Sequence, residues 1–175
     1  MDFFGLALSK SSTGKDTTSN DLSGHKSGAT GSKNKVLGDY GNANGLNNTV
    51  ESSGGTANGY NNTSQGKNSQ ANGISTTSIG EASSANGIGT IATRRAQTVE
   101  GTYNLKDEEE KYLHIVGNGK YGEPSNAHTI DEKGNCWYAG TIYLGGASQE
   151  DSIAIDLLAK IKELEERLAR YENSL

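Results

Sequence analysis

His128, Asp131 and Cys136 stand close together in the chain. An imidazole beside a thiol and a carboxylate has the makings of an activated nucleophile. The segment that holds them, "DEKGN" at residues 131–135, reads instead as the turn of a hairpin, so a structural use is expected. His25, His114 and His128 lie far apart, and none sits in a metal-ligand motif. Asp107 to Glu110, "DEEE", has the charge to hold a cation, but the expected reading is a solvated acidic turn. "GNGKYG" at 117–122 is glycine-rich, yet no helix with a phosphate-binding lysine follows it. Tyr40, Tyr60, Trp137, Tyr138 and Tyr143 are of the type that stacks on sugars, although an aromatic core is the commoner use. No paired carboxylates flank an evident groove. The expectation is a protein without catalytic residues, metal or cofactor.

The elements that carry these residues are unusual. The chain has 24 Gly in 175 residues, 31% hydrophobic content and two Phe, which leans toward disorder. Against that, charged residues make up 21%, the net charge is −5, and there is one Pro. Burial shared between chains would supply the apolar surface that one chain lacks. The single Cys136 excludes an intrachain disulfide. "MDFFGLALSK" is short and has no basic leader or cleavage site, so it is a poor signal peptide. No run reaches membrane-span length, and the scattered Lys and Arg leave no nucleic-acid footprint.

A strict register argues against disorder. Counting in sevens from Gly24 to Gly101, ten of twelve positions are Gly; the exceptions are Ser52 and Arg94. Five residues after each of the first eleven marks stands Ala, Val or Ser, from Ala29 to Val99. "ANG" recurs at 43, 57, 71 and 85, followed by Leu46, Tyr60, Ile74 and Ile88. The unit is therefore fourteen residues in two unequal halves. Glycine at a fixed heptad position would cost a helix about 1 kcal/mol each time, so short strands and tight turns are expected. Side chains alternate along a strand, which puts the small residue five after the mark and the polar residue three after it on one face. Coils of two short strands then stack by parallel backbone bonding. Ala, Val and Ser fill a narrow interior, and Gly supplies the special backbone angles at the turns.

"GKNSQANG" and "GEASSANG" resemble the head repeat of trimeric autotransporter adhesins, a repeat shared with tail and fibre proteins of phages and prophages. The resemblance implies a left-handed parallel β-roll, three rolls around a threefold axis, and Leu46, Tyr60, Ile74 and Ile88 facing that axis. Residues 94–146 are similar to a module of phage tail and fibre proteins. Gln97, Gly101, Tyr103, Asn104, Gly117, Asn118, Gly119, Ser125, Asn126, Ala127, Asp131, Gly134 and Asn135 carry that likeness, which implies a small β-rich cap after the roll. Within it, "KYLHIVGNG" and "CWYAGTIYLGG" read as strands between Gly turns.

"ASQEDSIAIDLLAKIKELEERLARYENSL" reads as a helix, with Ser148 and Asp151 as a capping box. Ala154, Leu157, Ile161, Leu164, Leu168, Tyr171 and Leu175 are spaced three and four apart, the seam of a coiled coil. Lys160 and Arg167 at g face Glu165 and Glu172 at e in a parallel arrangement. At the other end, Phe3, Phe4, Leu6 and Leu8 precede a polar tether. Burying them releases on the order of 6 to 10 kcal/mol gross, which fits insertion into a groove of a virion protein.

The expected fold is mainly β: a homotrimeric left-handed parallel β-roll of fourteen-residue repeats, a small β-rich cap and a C-terminal parallel α-helical coiled coil. The expected divisions are 1–23 for attachment peptide and tether, 24–103 for roll, 104–147 for cap and 148–175 for coiled coil. The expected trimer contacts are Leu46, Tyr60, Ile74, Ile88, Leu157, Ile161, Leu164 and Leu168. The expected role is a structural fibre, spike or decoration on the surface of a phage virion or phage-derived particle. Its partners would be a capsid, collar or tail protein through the N-terminus and a bacterial surface glycan, with no nucleic acid and no membrane insertion. The alternative is a bacterial surface adhesin of the trimeric autotransporter type, although an export signal and a C-terminal membrane barrel are not evident in the sequence.

Overall fold

The structure is a computed structural model that describes residues 20–140, 142–144, 153–155 and 157–173, with side chains for 20–140 and 160–173. Short and long strands alternate along the first hundred residues. The short ones are β1 Asp21–Leu22, β3 Lys35–Val36, β5 Thr49–Val50, β7 Thr63–Ser64, β9 Thr77–Ser78 and β11 Ile91–Ala92. The long ones are β2 Gly28–Ser32, β4 Asn42–Leu46, β6 Thr56–Tyr60, β8 Gln70–Ile74, β10 Ser84–Ile88 and β12 Thr98–Thr102. Each strand pairs in parallel with its equivalent fourteen residues along, as in Ala57 with Ala71 and Ala71 with Ala85. The result is a parallel β-solenoid of about seven turns, with the short strands in one sheet and the long strands in the other. The first coil opens at Asn20 and Asp21, slightly before residue 24, because Asn20 and Leu22 already occupy the polar and apolar positions of the register.

The interior is as narrow as expected. Val36, Ala43, Val50, Ala57, Ala71, Ala85, Ala92 and Val99 are fully buried, as are Ser64 and Ser78. Two rows share this interior and trade volume. Where Val36 and Val50 point inward, the facing residues are Gly41 and Gly55, and a Cβ on Gly41 would meet Val36 and Val50 Cγ1 at 2.7 and 2.9 Å. Further along, Ser64 faces Ser69 with Oγ atoms 2.7 Å apart, and Ser78 faces Ser83 at 2.6 Å. A close-packed interior keeps its total volume, so Val with Gly gives way to Ser with Ser.

The second buried row is amide. Asn48 Nδ2 donates to Asn34 Oδ1 at 3.0 Å and to the carbonyls of Asn44 and Gly59, both at 2.9 Å. Asn62 repeats this set against Asn48, Asn58 and Gly73. The backbone N–H of each Asn also reaches the Oδ1 one coil earlier. Each side chain thereby satisfies corner carbonyls that the strand ladder leaves open, as buried backbone requires.

The marked glycines are of two kinds, which refines the expectation that they supply the turn angles. Gly31, Gly45, Gly59, Gly73, Gly87 and Gly101 have φ between +94 and +133°. Gly24, Gly38, Gly66 and Gly80 do not; there a Cβ would overlap the carbonyl of the next coil. The left-handed corners fall two residues after each mark, at Lys26, Lys33, Tyr40, Asn47, Asn61 and Asn68 among others. Asn tolerates that region better than most residues.

β13 Tyr112–Asn118 joins β12 in parallel, Val99 against Ile115, and extends the long sheet. β14 Asn126–Asp131 then returns antiparallel, and β15 Cys136–Tyr138 forms the edge. The cap is thus a continuation of the roll's own sheet. Ile115 is buried beside Ala85, Ala92 and Val99.

The chain divides into two compact units between Trp137 and Tyr138. In the second, β16 Ile142–Leu144 pairs antiparallel with β17 Ile153–Ile155, and α1 runs from Leu157 to Glu172. Ala154 was expected in the helical seam and lies in a strand. Two β-branched residues flank it, a pattern that suits extended backbone better than helix. The helix is therefore shorter than residues 148–175, and the capping pair Ser148 and Asp151 lies outside the described residues.

Candidate interaction surface

Few of the chemically suggestive residues converge. His25 packs edge-on against Tyr40 in the first coil, with centroids 6.3 Å apart. His114 and His128 meet edge-on at 5.7 Å on β13 and β14, and Glu100 Oε1 lies 3.5 Å from His114 Nε2. Cys136 Sγ donates to the carbonyl of Gly134, within its own turn. The described residues contain no group of three His, Cys, Asp or Glu arranged to hold a metal ion. None of their helices is long and apolar enough to cross a membrane.

The acidic residues of the cap are structural hubs. Asp107 was expected in a solvated turn but is 6% exposed. Its carboxylate accepts from Lys111 N–H at 3.0 Å, Tyr112 N–H at 2.8 Å and Gln97 Nε2 at 2.9 Å. Three donors make burial of that charge tolerable; Glu108, Glu109 and Glu110 stay exposed. Buried Gln97 also donates to the Tyr112 carbonyl and accepts from Thr93 N–H, tying the last coil to the cap. Asp131 closes the "DEKGN" turn, as expected of that segment. The side-chain amide of Asn135, then the backbone N–H groups of Asn135 and Lys133, hold its carboxyl below the ordinary range against the opposing effect of burial.

The cap motif has the same character. Asn104 donates to the carbonyls of Ile91 and Leu105 and accepts from Ile91 N–H. Ser125 Oγ donates to Asn118 Oδ1 at 2.7 Å, and Asn126 Oδ1 accepts from Leu105 N–H at 2.9 Å. Gly117 and Gly119 sit where a Cβ would press on the backbone of Thr102, Asn104 and Ser125. Gly117 and Gly119 of "GNGKYG" thus serve close approach of cap to coil, whereas Gly122 has open space around it and a φ of +80°.

What the first unit displays is surface. Leu46, Tyr60, Ile74 and Ile88 stack in one column on the outer face of the long sheet, between 39 and 50% exposed. Tyr40, Trp137 and Tyr138 are exposed rather than core, and Tyr121 is 88% exposed; Tyr112 packs against the cluster around Ile115. Lys111 Nζ lies over the Trp137 ring at 4.8 Å, and Tyr112 packs edge-on against it. Tyr143 lies outside the residues with described side chains.

On α1, Ile161, Leu164, Leu168 and Tyr171 are half-exposed or more and repeat at three and four. Lys160 and Arg167 both reach Glu163 within the helix. The Leu157 side chain, like Phe3, Phe4, Leu6 and Leu8, lies outside the description. No known family, curated protein or solved structure matches the chain.

Proposed function

We propose that the chain is the subunit of a rod-like homotrimer, a structural fibre, spike or decoration of a phage or phage-derived particle, with no catalytic role. In this reading the solenoid is a left-handed roll of fourteen-residue repeats, three rolls share an axis, and α1 forms a parallel coiled coil with its copies. One observation carries it. Apolar columns stand unburied in both units, Leu46 to Ile88 on the roll and Ile161 to Tyr171 on the helix. Monomeric proteins seldom leave such contiguous rows in water. The likeness of "GKNSQANG" to fibre and adhesin repeats supplies the particle. Phe3, Phe4, Leu6 and Leu8 would attach it to a capsid, collar or tail protein, and the exposed aromatics would meet a surface glycan.

Sedimentation equilibrium of the purified chain, followed by fractionation of particles from its source, tests this. A trimer that co-purifies with particles, and ceases to do so when residues 2–10 are deleted, is the expected result. A monomer overturns the assembly. A trimer that fractionates with the bacterial envelope instead replaces the particle with a surface adhesin.

A further inference from the structure

Charge on the roll is unevenly placed. Lys35, Asp39, Glu51, Lys67 and Glu81 lie on the short strands and the turns. The outward positions of β4, β6, β8 and β10 carry none. That outer face holds the apolar column from Leu46 to Ile88, a polar column from Asn42 to Ser84 and, between them, Asn44, Asn58, Asn72 and Asn86.

This middle column is half-buried and is distinct from the interior amide row. Asn44 Nδ2 donates to Asn58 Oδ1 at 2.7 Å, Asn58 to Asn72 at 2.8 Å and Asn72 to Asn86 at 3.0 Å. A carboxamide has two N–H donors and two acceptor lone pairs. The ladder uses one of each on Asn58 and Asn72, so one of each is unspent. Any partner that covers the neighbouring apolar column also covers these amides, and a buried amide needs its hydrogen bonds.

From β4 to β10 the face has no charge to attract an acidic or basic partner; Glu100, at the next position of this column on β12, lies 3.5 Å from His114. Its amides recur at the strand spacing of about 4.8 Å, and a second copy of this roll offers matching groups at that interval. We propose that Asn44, Asn58, Asn72 and Asn86 form an amide seam between copies of this chain. Each gives its second N–H and lone pair to the same column of a neighbour. The seam rests on the trimeric reading above. It would hold parallel copies at matching heights, since an offset of half the coil spacing sets each amide between two amides of the facing column rather than opposite one.

Cysteine pairing tests it. In a Cys136→Ser background, Asn72→Cys and, separately, Lys67→Cys are oxidised and the products resolved without reductant, while the unsubstituted protein is sized by sedimentation. The expected result is a trimer in which Asn72→Cys forms covalent dimers at least about tenfold faster than Lys67→Cys, as close Cβ approach requires. If Asn72→Cys fails to fold by circular dichroism, Asn58→Cys takes its place with the same expectation. A trimer in which the seam cysteine links no faster than Lys67→Cys overturns the seam alone. A monomer overturns the trimeric reading and the seam with it.

Discussion

Arg94 Nη2 donates to Glu132 Oε2 at 2.8 Å, tying the last coil of the roll to the turn of the cap hairpin. Arg94 stands at a mark where the register otherwise has Gly, so this contact gives the departure a use. Arg94→Gly restores the register and cuts the tie. A partly exposed pair contributes at most about 1 kcal/mol, so the global midpoint should scarcely move. Amide exchange in Asn126–Asp131 should quicken while Thr56–Tyr60 stays protected. Equal protection in both proteins would show the tie to be dispensable.

Asn62 is a hub of the interior amide row. Its Oδ1 accepts from Thr76 N–H at 2.9 Å and Thr76 Oγ1 at 2.8 Å, besides the three acceptors that the two hydrogens of its Nδ2 share. Asn62→Ala strands several buried groups and should cost on the order of 3 kcal/mol. Thr90 occupies the same register position, and its Oγ1 is buried without a partner. Thr90→Asn can reach the carbonyls that Asn62 reaches in its own coil, and should add about 1 kcal/mol. Urea midpoints measure both; shifts of the same sign would contradict this account.

The exchange of Val with Gly for Ser with Ser predicts coupling. A Cβ on Gly55 would meet Val50 Cγ1 at 2.8 Å and Ser64 Oγ at 2.6 Å. Gly55→Ser alone should destabilise by overpacking, and Val50→Ser alone by a void. Together they recreate the pairing of Ser64 with Ser69. A double-mutant cycle should show about 1 kcal/mol or more of favourable coupling; additive costs would remove the volume argument.

Gly73 has φ +133°, and a side chain there would overlap the Gly87 carbonyl. Gly73→Val should lose on the order of 3 kcal/mol or more from strain and overlap. Ala71 is fully buried, so Ala71→Glu places an unpaired charge in the interior and should abolish the fold. Far-ultraviolet circular dichroism follows both. A parent-like signal for either variant would mean the interior is not closed there.

Asp131 fixes the sign of one pH effect. Its carboxyl is held below its ordinary value of about 3.8 by Asn135. A depressed value contributes stability that is present above the ordinary range and lost as pH falls through the lower, folded value. The cap hairpin should loosen on acidification below pH 3.8. Asp131→Asn should flatten that dependence, which exchange rates of Lys133 and Asn135 amides report. An unchanged acid response would place its origin in another carboxylate.

The interior was legible because it repeats. The small residues from Val36 to Val99 and the polar row with them recur at one spacing, and alternation along a strand is enough to put both inside. The fork between Val with Gly and Ser with Ser was written in Gly41, Gly55, Ser69 and Ser83, but only facing distances reveal who opposes whom. Asp107 was misread because four acidic residues in a row look solvated; what buries it is Gln97, ten residues earlier. The corner angles at Lys26 and Tyr40 have no compositional sign at all, since the coil imposes them. Ala154 was lost for the opposite reason: a three-four spacing continued past the point where Ile153 and Ile155 favour a strand.

β12 passes its pairing to β13 with the same Val99-to-Ile115 contact that one coil makes with the next. Neither end of the roll therefore senses how many coils lie between. A coil touches only its neighbours, so a block of fourteen residues can be gained or lost in the middle while both ends stay intact. Each such block changes the length by about 4.8 Å. The gene thus holds a ruler whose graduations are whole coils, and reach can evolve in steps without any change to what the two ends do.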